Sequence, residues 1–486
     1  MSRPEPPFEG MLVGGVRADG ARASRRFVLN PATGDPIASV AEAELEDVDR
    51  AAHLASVSFR TDWRKRTPRE RARILFRLAG LVRDHVDELA GLESRNVGKP
   101  LGSARAEVLS AADCFEYYAG AVTKFGGETL PASAPGTLLT MREPLGVCAL
   151  IVPWNFPIVI ASWKLAPALA MGNTVLLKPA SDTPLSALRL GELALQAGVP
   201  PEALHVLPGR GEVLGPALIN HPLVRKISFT GSTEVGRGVM VQAARGIKRV
   251  SLELGGKSAC ILFADAELDT CLPSALWSAI DNSGQDCCAR SRFLVEKSIY
   301  DRVVADLATL AAAVRVGDPS VATTEMGPLI TGAHLERVGD YLRIGKDEGA
   351  ELVCGGETPA LDATLERGFY LSPAIFANVE NRMRVAQEEI FGPVISVIPF
   401  TDEADAVRLA NESRYGLSGS LFTRDMGRAL RVAGGVETGV LSINSSRSVF
   451  VEAPFGGVKE SGLGRELGKS ALEAYSELKT IFLSNE

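Results

Sequence analysis

The chain has 486 residues, of which 46% are hydrophobic and 23% charged, with 52 Lys and Arg set against 59 Asp and Glu for a net charge of −7. That is the composition of a soluble globular protein long enough for about three domains' worth of core. The signs are interspersed, with no basic stripe or long charge run, which argues against nucleic acid or an anionic membrane surface as partner. Seven scattered cysteines with no C-x-x-C spacing suit reduced thiols in a cytoplasm rather than a disulfide framework. The five histidines lie far apart and none pairs with a neighbouring Cys or Glu at metal-ligand spacing, so no metal is implied.

The start, Met1-Ser2-Arg3-Pro4-Glu5-Pro6-Pro7-Phe8, lacks the apolar core of a secretory signal, and the expected location is cytoplasmic. After an extended opening, residues 47–59 read as an amphipathic helix. Thr67-Pro68-Arg69-Glu70 then supplies a capping box with Pro at the first helical position, predicting a long helix to about Val97. Gly98-Lys99-Pro100 ends it, a further helix is expected over 104–124, Gly126-Gly127 breaks the chain, and 136–142 reads as a strand arm. Residues 144–163 carry no charge over a membrane span's length, but Pro153, Asn155 and Pro157 break any such helix. The stretch reads as a buried strand, a loop and the start of a helix.

From Val147 short apolar strands alternate with helices: strands at 147–152, 174–177 and 225–229, helices at 163–170 and 186–197. This is the rhythm of a doubly wound α/β sheet, whose ligands bind beyond the carboxyl ends of the strands. The residues to question are therefore Pro153 onward, Lys178, the Gly209-Arg210-Gly211 turn and Thr230 onward. The second half repeats the rhythm with strands at 258–263, 293–296, 394–399 and 439–444 and helices at 300–314, 333–348 and 401–413, which predicts a second α/β domain. The end reads as a helix over 471–479 and a terminal strand over 480–484.

In Asp281-Asn282-Ser283-Gly284-Gln285-Asp286-Cys287-Cys288-Ala289-Arg290, a thiol sits among polar residues and Gly, where the backbone is expected to be irregular and accessible. Cys287 is the candidate nucleophile, against the plain alternative of a buried, inert cysteine. Phe229-Thr230-Gly231-Ser232 before a helix offers amides for phosphate or simply a helix cap. Lys178 at the end of a buried strand calls for a polar ligand or snorkels to the surface. Glu253, in Glu253-Leu254-Gly255-Gly256, is either solvated or a general base beside the thiol.

Taken together, Pro153-Trp154-Asn155-Phe156-Pro157, Lys178-Pro179-Ala180, the 229–236 loop, Glu253-Leu254-Gly255-Gly256, Gly284-Gln285-Asp286-Cys287, Glu389-Ile390-Phe391-Gly392-Pro393 and Pro454-Phe455-Gly456-Gly457 occur in the order of the aldehyde dehydrogenase superfamily. The resemblance covers essentially the whole chain. It implies a Rossmann-like dinucleotide-binding domain (1–124 with 145–256), an α/β catalytic domain (257–455) and a β oligomerisation arm (125–144 with 470–486), assembled as a homodimer or homotetramer. By similarity Cys287 attacks an aldehyde, the Asn155 side-chain amide and the Cys287 backbone amide form the oxyanion hole, and Glu253 activates the hydrolytic water. Lys164 and Glu466 match proton-relay positions. The cofactor is NAD(P), with Ile151, Pro153, Trp154, Lys178, Ser181, Gly211, Phe229, Gly231, Ser232, Leu254, Glu389 and Phe391 as its implied contacts.

Many NAD-specific relatives carry Glu where this chain has Ser181, so repulsion of a 2′-phosphate is missing there, while Asp182 restores it or Arg210 favours phosphate. Both NAD and NADP stay open. The implied substrate tunnel comprises Phe156, Ile160, Trp163, Asp286, Arg447, Val449, Phe450 and Phe455. Asp286 resembles the aminobutyraldehyde dehydrogenase motif and suits an ω-aminoaldehyde, whereas Arg447 suits a carboxylated semialdehyde. A coenzyme-A-acylating semialdehyde dehydrogenase is the alternative enzyme, and it tends to lack the carboxylate that Glu253 provides. A catalytically idle structural member is the alternative of another class, expected to have lost Cys287 or Asn155.

Overall fold

A computed structural model describes residues 6–486; the start of the opening stretch, on which the secretory-signal reading rests, lies outside the described residues. Two large sheets dominate. The first has eight strands, and its parallel centre is formed by Arg249–Glu253, Val224–Thr230, Val147–Ile151, Thr174–Lys178 and Leu204–Val206 in that spatial order. These strands are short and largely buried because helices cover both faces, so strict alternation is not needed. The antiparallel pair Met11–Val13 and Val16–Ala18 closes one side, and Gly462–Leu463 returns from near the C-terminus to close the other.

The second sheet has seven strands, with Ala259–Leu262 between Arg292–Glu296 and Ser418–Phe422. A separate three-stranded sheet joins Thr129–Leu130, Gly136–Pro144 and Ser476–Ser484.

The capping box at Thr67 forms as the sequence predicts: Thr67 Oγ1 accepts from Glu70 N at 3.3 Å and Glu70 Oε2 accepts from Thr67 N at 2.7 Å. The expected single helix to Val97 is instead two, Pro68–Asp84 and Val86–Val97. His85 leaves helical geometry at φ −104°, ψ 23°, and both its backbone N–H, at 3.1 Å, and its Nδ1, at 2.8 Å, donate to Leu81 O, so the residue at the break caps the last turn of the first helix. The second helix ends at Gly98 in the left-handed conformation, φ 91°.

The helix expected from Trp163 begins a turn and a half earlier, at Pro157, and every residue of Pro157–Ala170 is buried. Proline fits its first position, where no backbone N–H is needed. At the C-terminus the helix stops at Ala474 and the strand runs Ser476–Ser484, longer than expected, because all nine residues find register partners in Gly136–Pro144.

Candidate active site

Register alignment gathers the cofactor candidates. Lys178 pairs with Ile151, Ile151 with Phe229, Phe229 with Leu252 and Thr230 with Glu253. They form one row across the carboxyl edge of the first sheet, where ligands of such sheets bind. Lys178 is buried, and its Nζ makes one hydrogen bond among the described residues, to Pro179 O at 3.0 Å. Burial pushes this ammonium down to about 8, partly offset by Glu212, with Arg26 and Asp182 also in range. A buried amine with donors to spare fits an oxygen-rich ligand, and Thr230 Oγ1 is likewise buried without a partner.

Ser232 caps the helix Thr233–Ala244 by accepting from Val235 N at 3.4 Å, which leaves first-turn amides for an anion. Gly231 must be small there, since a Cβ would lie 2.6 Å from the Phe229 ring. Ser181 Oγ donates to Gly209 O at 3.0 Å, tying the loop after Lys178 to the turn before Gly211, which opens the helix Gly211–Asn220.

On the opposite wall, Trp154 beside Pro153 stacks edge-on against Phe391 at 5.3 Å and His334 at 5.6 Å. Phe391 is held at φ 63°, and its carbonyl accepts from His334 Nε2 at 2.7 Å. Glu389 accepts from Gly256 N at 3.0 Å, and burial pushes its carboxyl up to about 7. Leu254 N donates to Ser461 O at 2.9 Å, fixing the turn after Glu253. A dinucleotide's ribose hydroxyls and pyrophosphate match this set of free donors and acidic acceptors.

The nucleophile loop is strained and pinned. Asn282 and Ser283 both adopt left-handed backbone, φ 50° and 59°, a cost that persists only where surroundings enforce it. Here Gln285 Nε2 donates to Asn282 O at 3.0 Å, Gln285 Oε1 accepts from Ile330 N at 2.9 Å, and Ser283 Oγ donates to Gly327 O at 2.8 Å. Asn155 Nδ2 donates to Gln285 O at 2.8 Å, which orients the amide and leaves its second proton free. The half-buried Cys287 has its sulfur within 4.8 Å of the Cys288 sulfur and an Asp286 carboxylate oxygen. A hydrogen bond to Cys288, burial, and the Asp286 and Glu389 carboxyls push the Cys287 thiol well above its usual range. It rests as a thiol. Asp286 Oδ1 is already engaged, accepting from Cys288 N at 2.9 Å.

Glu253 is buried with both carboxylate oxygens lacking hydrogen-bond partners among the described residues, and burial together with Glu466 raises its pKa well above the usual carboxylate range. Glu466 Oε1 accepts from Lys164 Nζ at 2.7 Å and Ser228 Oγ at 3.0 Å, and Lys164 Nζ also reaches Ser228 Oγ at 3.0 Å. Among the tunnel candidates, Trp163 and Phe455 meet edge-on at 5.2 Å, and both share one apolar cluster with Ile160 and Cys288, against which Phe156, Val449 and Cys287 pack. Arg447 and Phe450 are exposed and pair with each other, the guanidinium 5.0 Å from the ring centre.

The aldehyde dehydrogenase family model matches residues 19–481. The chain belongs to the aldehyde dehydrogenase family. It is 44% identical over 483 residues to a phenylacetaldehyde dehydrogenase of Pseudomonas fluorescens, covering 98% of this chain and 95% of that one. It is 41% identical to a betaine aldehyde dehydrogenase of Brucella melitensis, covering 98% and 97%. The crystal structure of a betaine aldehyde dehydrogenase from Staphylococcus aureus in complex with NAD+ superposes with a TM-score of 0.97 at 36% identity, covering 98% of this chain and 95% of that one. As a family member the protein oxidises an aldehyde to the acid with reduction of NAD(P).

Around Asn155 and Cys287 the dehydrogenase gathers residues to which the sequence reading gives no role. Lys99 serves in the sequence only as part of a helix terminator, yet its side chain is fully buried against Glu93 and Glu107 beneath Asn155. Asn282 and Gln285 lie in the quoted loop without a stated role. A lysine between Gly and Pro at a helix end signals nothing by pattern, because its partners lie on other elements.

Proposed function

We propose that Cys287 is the nucleophile, with Asn155 Nδ2 and the Cys287 backbone N–H stabilising the oxyanion and Glu253 activating the hydrolytic water. The observation that carries this reading is the hydrogen bond from Asn155 Nδ2 to Gln285 O, two residues before Cys287, which aims a spare amide proton at the thiol's neighbourhood. Cys287 Sγ adds to the aldehyde carbon and its proton leaves toward solvent. The chemistry that NAD(P) supplies when bound is acceptance of hydride from the resulting adduct. Glu253 then takes a proton from water as that water attacks the Cys287 thioester, and Lys164 and Glu466 carry protons away from Glu253. An unpartnered, raised-pKa carboxylate is what hydrolysis needs, so Glu253 favours this outcome over transfer to coenzyme A. Intact Cys287 and Asn155 count against an idle scaffold.

Lys178, Ser181 and Gly211 cradle the adenosine ribose side in this reading. Ser232, Gly231 and Phe229 flank the pyrophosphate, Glu389 takes the nicotinamide ribose, and Ile151, Pro153, Trp154, Leu254 and Phe391 form the walls. The two sheets correspond to the cofactor-binding and catalytic domains, the three-stranded sheet to an oligomerisation arm, and the working form is a cytoplasmic homodimer or homotetramer. Aromatic walls at Phe156, Trp163 and Phe455 suit an aldehyde with an aryl or ω-ammonium tail, the cation meeting ring faces while one oxygen of Asp286 accepts from Cys288 N.

The test is the rate of reduced-cofactor formation with NAD and NADP for phenylacetaldehyde, betaine aldehyde, 4-aminobutanal and succinic semialdehyde. Cys287→Ala should abolish turnover, and the semialdehyde should be the poorest substrate. Turnover retained by Cys287→Ala would sink the mechanism, and a preference for the semialdehyde would return Arg447 to the tunnel.

A further inference from the structure

Lys99 has a side chain with no exposed surface, and its Nζ lies 2.9 Å from Asn155 O, 2.5 Å from Glu107 Oε2 and 3.8 Å from Glu93 Oε2. The same ammonium sits 4.5 Å from the centre of the Phe156 ring. Glu93 Oε1 in turn accepts from Ile158 N at 3.2 Å, in the first turn of Pro157–Ala170. One buried cation thus joins the helix Val86–Val97, through Glu93, and the helix Leu101–Ala121, through Glu107, to the Asn155-Phe156 loop between strand and helix. Asn155 O receives a second donor, Asn282 Nδ2 at 3.0 Å, from the nucleophile loop.

We propose that Lys99 is a positioning residue for catalysis: it fixes the Asn155 carbonyl from below so that the Asn155 side-chain amide meets the oxyanion above. The inference rests on the assignment of Asn155 to the oxyanion hole. Charge, rather than packing, is the reason for a lysine here. Burying an ammonium with two carboxyls is weak as a source of stability and is retained where it specifies geometry. The peptide following Asn155 is held by Lys99 and Asn282 on its oxygen while Gln285 O holds the side chain, and Asn282 Nδ2 also reaches Gln285 O at 3.4 Å, so Lys99 is the donor on the Asn155 carbonyl that comes from outside the nucleophile loop. An ångström of displacement at such a donor costs on the order of 100-fold in rate, comparable to deleting the donor itself.

The experiment uses p-nitrophenyl acetate, an activated ester that needs neither the natural aldehyde nor NAD(P). Cys287 Sγ attacks its carbonyl carbon, the oxyanion forms, and p-nitrophenolate leaves in a burst that reports acylation. Lys99→Met should slow the burst about 10- to 100-fold. Alkylation of Cys287 by iodoacetamide, which develops no oxyanion, should change by less than about threefold. Asn155→Ala should slow the burst about 100-fold, and adding Lys99→Met to it should cost no more than about a further threefold, because the donor that Lys99 serves is gone.

Should Lys99→Met fail to fold, Glu107→Gln goes through the same cycle with the same expected non-additivity. A multiplicative double mutant, or alkylation that falls in step with the burst, overturns the role of Lys99 and leaves Asn155 standing. A wild-type burst in Asn155→Ala instead overturns the oxyanion assignment and the inference built on it.

Discussion

Glu253 combines two properties that pull a carboxyl toward base catalysis: it has no hydrogen-bond partner, and burial and Glu466 raise its pKa. A raised pKa keeps it protonated, and inert as a base, until the pH climbs through that value. Thioester hydrolysis should therefore rise with pH and flatten above the Glu253 pKa. Glu253→Gln should preserve the p-nitrophenolate burst, lower steady-state turnover by about 100-fold or more, and remove that rising limb. A variant whose burst collapses together with its turnover would place Glu253 in acylation instead.

Lys178 supplies a second pH signature. Its ammonium is charged below about 8 and loses its charge above it, because burial disfavours the cation. A 2′-phosphate loses a counter-charge as pH rises through that value, whereas a ribose hydroxyl still finds a nitrogen. The Kd of NADP, followed by fluorescence quenching, should weaken between pH 7 and 9 more than that of NAD, by about threefold or more for an interaction of this size. Ser181→Glu, adding a carboxylate beside Gly209 and Lys178, should shift selectivity toward NAD by about tenfold. Equal loss of both cofactors would mean that Ser181 does not face the 2′ position.

At the scale of elements, the turn after Glu253 and the nucleophile loop touch each other through a missing side chain. A Cβ at Gly256 would lie 2.3 Å from the Cys287 carbonyl oxygen, and its N–H already serves Glu389. Gly256→Ala should displace Cys287 and with it the backbone N–H that we propose for the oxyanion hole. Activity should fall about 100-fold while stability falls by only about 1–3 kcal/mol, separable by comparing kcat with the urea midpoint.

This contact shows what the sequence made legible and what it hid. Strand ends were readable because buried parallel strands are short apolar runs, so Lys178, Thr230 and Glu253 fell where a ligand belongs. Cys287 and Asn155 became functional residues only through the order of seven motifs, since each alone had a structural explanation. Lys99 and His85 were hidden for a common reason. Each acts through a hydrogen bond to a backbone carbonyl, Asn155 O or Leu81 O, and such a bond leaves no mark on hydrophobic periodicity. The terminal strand was placed too late because its length is set by its nine-residue partner, 332 or more positions away in sequence.

For the whole molecule, the three-stranded sheet is the feature that a lone protomer does not explain. Ser476–Ser484 is an outer strand of nine residues, and Leu478, Phe482 and Leu483 along it are 57%, 47% and 54% exposed. Phe482 pairs with Leu138, which pairs with Leu130, giving an apolar row across all three strands. A long, exposed, apolar edge is a template for pairing with another chain, which is the role we propose for the arm. Arg249 Nε and Nη2 donate to Glu477 at 2.7 Å each, linking the start of the strand to the first sheet. Replacing Phe482 by Glu puts a charge in the middle of that row. Sedimentation velocity should then show a smaller species than wild type at the same concentration. The p-nitrophenolate burst per protomer should stay within about twofold, because no contact links Phe482 to Cys287 among the described residues and distant sites behave independently. An unchanged sedimentation coefficient would remove the arm from the interface, and a lost burst would mean that assembly is needed to hold the active site itself.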